Sequence, residues 1–278
     1  MKQRNRHLYD TQCIQKRLLT ILSSFDKVCR EHNLKYYLWA GTQLGAVRHE
    51  GFIPWDDDAD IAMPRADYQR LLKHADKWLP APLNLANLHT TEGYPHYFAR
   101  VQDVGTTMII RKHLNYVEGL HVDIFPLDNI PNNRLSRSFH FMRLSIHHRM
   151  LYYASRSPKK DKKRYKAAFY KLLQKVIDRK KVLLSLDRLM QRYNKKETLY
   201  CADSFYGSCD YVEKATLGKQ KKYLFEGVEL YGVEFADKYL SDKYGNYMVV
   251  PPENARVQHS VDFMDLDLPF AQFDINSI

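Results

Sequence analysis

A chain of 278 residues with 45% hydrophobic content can close one sizeable core, and it contains no apolar run of bilayer-spanning length. Its four cysteines, Cys13, Cys29, Cys201 and Cys209, show no CxxC spacing, which argues for reduced thiols over a zinc or disulfide framework. The net charge of +11 is concentrated in residues 156–181, which hold 12 Lys and Arg against Asp161 and Asp178. Such a stretch is either a lysine-rich solvated helix or an electropositive face for nucleic acid, anionic lipid or a phosphate-rich polymer.

The opening "MKQRNRHLYD" is basic but has no apolar stretch behind it, so no secretory signal is expected. Residues 9–32 then place Ile14, Leu18, Ile21, Leu22, Phe25 and Cys29 at helical spacing, predicting a helix with one buried stripe. Residues 36–40 read as a strand, punctuated by Gly41 and Thr42, with a short helix over 43–48. A loop over 49–55 leads to a second strand at 59–63 and a helix at 66–78. Residues 97–101 and 107–111 read as paired strands around "QDVGT", and 120–125 as a strand stopped by Pro126. The spacing predicts a helix over 135–154 with Leu135, Phe139, Met142, Ile146 and Met150 on one stripe, and further helix over 164–193. Short strands over 222–233 and a helix over 235–244 close the reading. The layout is α/β at the start, a basic helical segment, and an α/β return, expected as one domain: a core over 1–131, the helical segment over 132–200 and the return over 201–278.

"IPWDDDAD" sets four aspartates against the apolar Ile61, Ala62 and Met63. Residues two apart in a strand share a face, so Asp58 and Asp60 point together while Ala59 and Ile61 face the core. Asp123 stands between Val122 and Ile124 in the 120–125 strand. If these strands are neighbours, three carboxylates converge, and hard oxygen ligands of that kind favour Mg²⁺ or Mn²⁺ and phosphoryl transfer. Gly41 allows close backbone approach to a ligand, and the helix after it offers N–H groups to an anion. The alternative is that Asp56 and Asp57 are only turn-formers. His140, His147 and His148 lie on one helix without a nearby acid and read as ordinary surface or core histidines.

The segments "WAGTQLGAVRHEGFIPWDDDADIAM" and "GLHVDIFPLDNIP" resemble the LicD family, which includes bacterial phosphocholine transferases and is related to fukutin and fukutin-related protein. That resemblance implies a polymerase-β-like nucleotidyltransferase fold with a basic helical insertion. It implies that Gly41 and Thr42, with Gln43 and Arg48 beside them, hold the nucleotide phosphates; for Arg48 a structural salt bridge is the alternative. It implies that Asp58, Asp60 and Asp123 are the catalytic and metal-binding carboxylates, with Asp56 as a further sharer. Arg256 and His259 match the tail motif, with a fold-closing role as the alternative. A quaternary ammonium is recognised by aromatic faces, which brings Trp39 and Trp55 forward; ordinary core and loop-anchoring roles are the alternative.

The implied reaction moves phosphocholine from CDP-choline to a sugar hydroxyl of a teichoic acid or lipopolysaccharide precursor, releasing CMP. The acceptor is then an anionic or lipid-linked glycan. The expected location is the cytoplasm, with peripheral contact at the cytoplasmic membrane face. A different CDP-activated alcohol such as ribitol phosphate, a nucleic-acid nucleotidyltransferase on the same fold, and a catalytically silent cation binder are the competing readings. Nucleic acid is not the expected partner, since the acidic motifs match the glycan group.

Overall fold

The structure is a computed structural model that describes residues 10–156, 164–204, 210–256 and 261–277. Lys159, Lys160, Lys162 and Lys163 of the basic segment, and His259 of the tail, lie outside the described residues. Two compact units form. One combines Met1–Asn87, Phe98–Pro126 and Lys214–Ile278, and the other combines Leu88–Tyr97 and Leu127–Glu213. The early residues and the C-terminal return therefore share a unit, and the basic helices fall in the other.

In the first unit, α1 (Thr11–Glu31) starts where the Asp10 carboxylate accepts the Cys13 N–H at 2.8 Å. It buries Ile14, Leu18, Ile21, Leu22, Phe25 and Cys29, the stripe its spacing predicts. After β1 (Tyr37–Leu38) the chain turns through Ala40, whose φ of 44° is left-handed, directly into α2 (Ala40–Arg48). The helix thus takes in Gly41 and Thr42 rather than following them. β2 (Asp60–Pro64), α3 (Arg65–Trp78), β3 (Leu83–Ala86), β4 (Ala99–Asp103), β5 (Thr107–Ile109) and β6 (His121–Ile130) follow, the last four residues of β6 belonging to the second unit. The sheet runs β1-β2-β6-β4-β3.

In the second unit, α4 (Arg134–Ser155), α5 (Arg164–Val176) and α6 (Arg179–Met190) are followed by β7 (Tyr200–Ala202) and β8 (Val212–Glu213). The single helix expected over 164–193 is broken because Asp178 caps α6, accepting the Lys181 N–H at 3.1 Å. The first unit then resumes with α7 (Lys214–Leu217), the hairpin β9 (Lys221–Phe225) and β10 (Val228–Gly232), α8 (Ala236–Tyr244) and β11 (Phe263–Asp265).

Two strand expectations are corrected. β4 and β5 do not form a hairpin: β4 pairs β3 and β6, and β5 pairs β11. The turn between them is instead held by Thr106, whose Oγ1 donates to Asp103 O and accepts the Leu120 N–H. Pro126 does not stop β6. It falls between residues 121–124, which pair with β4, and 128–130, which pair with β7, so neither ladder needs an N–H from it.

The core of the first unit gathers the α1 stripe, Ala59, Ile61 and Met63 of the β2 strand region, Ala99 and Val101 of β4, Val122 and Ile124 of β6, and Phe225 and Leu230 of the hairpin. The second unit buries Phe141 and Leu144 of α4 and Val182, Leu183, Leu186, Leu189 and Met190 of α6. The stripe of α4 read from the sequence is not what that helix buries: Leu135, Phe139, Met142, Ile146 and Met150 are all exposed.

Candidate active site

The alternation of β2, β4 and β6 sorts their residues between two faces. Ala59, Ile61, Ala99, Val101, Val122 and Ile124 belong to the core, so Asp60, Arg100 and Asp123 leave the sheet on the other side, and Asp58 lies in the loop just before β2. Asp123 N–H donates to Ala59 O at 3.0 Å, which sets Asp123 beside the residue that separates Asp58 from Asp60. The expectation that the two acidic strands are neighbours holds.

The main chain of Asp60 is fixed at both ends. Its N–H donates to Thr42 Oγ1 at 2.8 Å, and its carbonyl accepts the Trp39 N–H at 3.0 Å. Thr42 therefore couples the first turn of α2 to the acidic strand. Ala40 N–H donates to Tyr239 Oη at 3.1 Å, bracing the left-handed residue that lets the chain enter α2 so abruptly. At Gly41 a Cβ would stand 3.1 Å from Asp56 Oδ2, so the missing side chain is what lets that carboxylate approach the first turn. Gln15 of α1 clamps the loop before the acids, donating to Ile53 O at 3.1 Å and Asp56 O at 2.9 Å. Glu226 holds its other side by accepting the Phe52 N–H at 3.0 Å.

Asp123 is engaged from β4. Arg100, with a side chain 4% exposed, donates to Asp123 Oδ1 at 2.7 Å and to both Glu118 oxygens at 2.9 and 2.7 Å. The guanidinium fork fits both carboxylates at once. His121 Nδ1 lies 2.9 Å from Gly119 O, and its Nε2 lies 3.6 Å from Asp123 Oδ1. Burial, with the nearby Arg100 charge adding to it, holds His121 below the ordinary imidazole range, so the ring is neutral at neutral pH.

Among the described residues, no three of His, Cys, Asp and Glu stand close enough together to hold a metal ion. On Asp123 the carboxylate is paired with the Arg100 guanidinium. The donor chemistry of Asp58 and Asp60 still suits Mg²⁺, which takes one or two protein carboxylates and completes its shell with water and phosphate oxygens.

Several other expected contacts take different places. Gln43 is fully buried, and its Oε1 accepts the Val233 N–H at 2.9 Å, so it anchors α2 against the end of the β10 hairpin rather than facing a nucleotide. Trp39 is buried with its ring 4.8 Å from that of Tyr239, a core position rather than a cation-binding face. Arg48 donates to Tyr247 O at 2.7 Å and reaches His49 Nε2 at 2.9 Å, tying the first motif to the "YGNYM" segment. Trp55 is half-buried and already carries a cation: Arg256 stands 4.5 Å over its ring and donates to Pro251 O at 3.2 Å.

Arg100, Glu118, Gln15 and Glu226 join the site only in the folded chain. Arg100 had a signal, being the one charge in "YFARV", a run otherwise fit for burial. The others are long-range partners of main-chain or buried groups and carry no local pattern.

A family profile described as "LicD/FKTN/FKRP, nucleotidyltransferase domain" matches residues 33–171, the stretch that holds α2 and Asp56, Asp58, Asp60 and Asp123. The fold and the acidic strands are thus those of a nucleotidyltransferase domain. The chain belongs to the LicD family. It is similar to the lipopolysaccharide cholinephosphotransferase LicD of Haemophilus influenzae, with 28% identity over 262 residues, 87% of this chain and 93% of that protein. Shorter similarities reach an uncharacterised protein of Rickettsia typhi, 40% identical over 58 residues, and one of Rickettsia prowazekii, 42% identical over 50 residues. Those two matches cover 20% and 18% of this chain and 19% of each relative.

Proposed function

We propose that this protein is a phosphocholine transferase that moves phosphocholine from CDP-choline to a sugar hydroxyl of a cell-surface glycan, lipopolysaccharide or teichoic acid, releasing CMP. The observation that carries this reading is that Asp123 bonds to Ala59, between Asp58 and Asp60 in the chain, while Asp60 is tied to Thr42 in the first turn of α2. Similarity over nearly the whole length of the Haemophilus cholinephosphotransferase supports the choline and glycan parts of it.

Asp58 and Asp60 would hold Mg²⁺ or Mn²⁺, with Asp56 near the same turn. Bound there, the ion supplies positive charge to the phosphate oxygens. At the first turn of α2 the Ala40 N–H goes to Tyr239 and those of Thr42 and Gln43 go to Trp39 O, so the Gly41 main chain is the part that would meet the pyrophosphate, and its missing side chain keeps that approach open. The acceptor oxygen attacks the phosphorus of the choline phosphate, the bond to the CMP oxygen breaks, and the acceptor proton passes to Asp123, which Arg100 holds in orientation. The reaction belongs in the cytoplasm, at the membrane face where lipid-linked acceptors are built.

Incubation with CDP-choline, Mg²⁺ and a glycan acceptor should release CMP and label the glycan, and EDTA should stop both. CMP release that ignores EDTA, or pyrophosphate release from CTP with tRNA and none of CMP from CDP-choline, would reverse the reading. One observation favours a second donor: the Trp55 face best suited to a quaternary ammonium already carries Arg256. Turnover of CDP-ribitol with none of CDP-choline would assign the enzyme to that alcohol.

A further inference from the structure

The second unit displays an apolar surface that its own core does not use. Along α4, Leu135 is 81% exposed, Phe139 57% and Ile146 51%, with Met142 and Met150 on the same side. Their spacings of three and four residues keep them on one narrow stripe over the length of the helix. On α5, Phe169, Leu172 and Val176 form a second exposed stripe, with Val176 75% exposed. Neither helix contains a single Asp or Glu in its 22 and 13 residues. Exposed Arg149 is three residues from Ile146 and seven from Met142, so it lines the edge of the α4 stripe. Exposed Lys175 stands three residues from Leu172 and does the same on α5.

We propose that these faces of α4 and α5 seat the protein on an anionic lipid bilayer, the apolar side chains entering the interface and the basic ones meeting the headgroups. Helices with one apolar side, a basic flank and no acids suit that setting. Long Lys and Arg stems lie along the apolar surface while their charges reach the phosphates. Charge chooses among possible occupants. A second copy would bring an equally basic face against this one, and like charges oppose that contact. A nucleic acid would use the charge but leave the apolar stripe in water. An anionic membrane satisfies both features, and the basic residues 156–181 add to the attraction. Among the described residues no helix is long and apolar enough to cross a membrane, so the contact lies at the surface.

The test is flotation of the full-length protein with vesicles of phosphatidylcholine alone or mixed with phosphatidylglycerol. The native protein should float with the mixed vesicles, less so as salt rises. Phe139→Glu with Ile146→Glu should lower the bound fraction about tenfold or more. Lys171→Glu with Lys175→Glu should also lower it, at unchanged melting temperature. If the first pair alters the melting temperature, Phe139→Ser with Ile146→Ser replaces it and the same loss is expected. Failure of the native protein to float, or equal flotation of the apolar-stripe variants, overturns the proposal. So does a dimer that the stripe variants convert to monomer without changing flotation. Flotation reads no turnover, so its failure leaves the transferase reading standing, and an absence of CMP release leaves this one standing.

Discussion

Asp60 is constrained through its backbone, since both its main-chain groups are bonded to the entrance of α2. Asp58→Asn or Asp60→Asn should lower CMP release by about a thousandfold or more while the melting temperature holds, because a metal contributes several kcal/mol to phosphoryl transfer. Arg100 carries a structural load as well as an orienting one. Glu118 is nearly inaccessible, so Arg100→Ala leaves a buried carboxylate without its counterion and should cost about 3–5 kcal/mol in urea unfolding. Arg100→Lys should recover part of the stability and little of the turnover, since one ammonium cannot reproduce a fork that meets two carboxylates. The acids themselves were legible in the sequence, because a strand that alternates Asp with Ala, Ile and Val announces its two faces. Their ion-pair partner was far less so: Arg100 lies 23 residues before Asp123, and only the cross-strand register joins them.

The short helix α2 depends on two small features. Thr42→Val keeps the shape but leaves the Asp60 N–H without its acceptor, and the expected loss is about 1–3 kcal/mol with a larger effect on kcat than on KM. Gly45 packs so closely on the following loop that a Cβ there would collide with Gly51 O. Gly45→Ala should therefore push the loop carrying Trp55 and Asp56 away from α2, costing about 1–3 kcal/mol by thermal unfolding. Elements with a strong period, such as α1 and α3, were readable because one buried stripe defines them. β11 was not, since three residues acquire strand geometry only by pairing with β5, whose sequence is about 150 positions distant. α4 shows a further limit: spacing reveals that a helix has an apolar stripe but not whether the protein itself covers it.

Two desolvated histidines, buried His140 and half-buried His148, make the fold sensitive to acid. Burial foremost holds His140 down to about 4, helped by Arg143 and Arg192, and it likewise holds His148 down to about 4. An unfolded histidine titrates near 6.5, so between that pH and about 4 the unfolded chain takes up protons that the folded chain refuses. Stability should be fullest above about pH 6.5, fall as the pH drops, and reach its floor below about pH 4. Neither ring nitrogen of His140 has a hydrogen-bond partner, so His140→Phe should flatten that slope and raise stability at about pH 5 by about 1 kcal/mol or more. Denaturant midpoints measured across the range would show it, and an unchanged slope would clear His140 of the effect. The division of the chain has a different result during synthesis. The first unit cannot close its core on the ribosome until the β9–β10 hairpin, with Phe225 and Leu230, has emerged. Every residue of the second unit has by then been made. The acidic strands are thus translated early but must wait, with their apolar faces open, for the late hairpin, and that interval is when a chaperone would find its target.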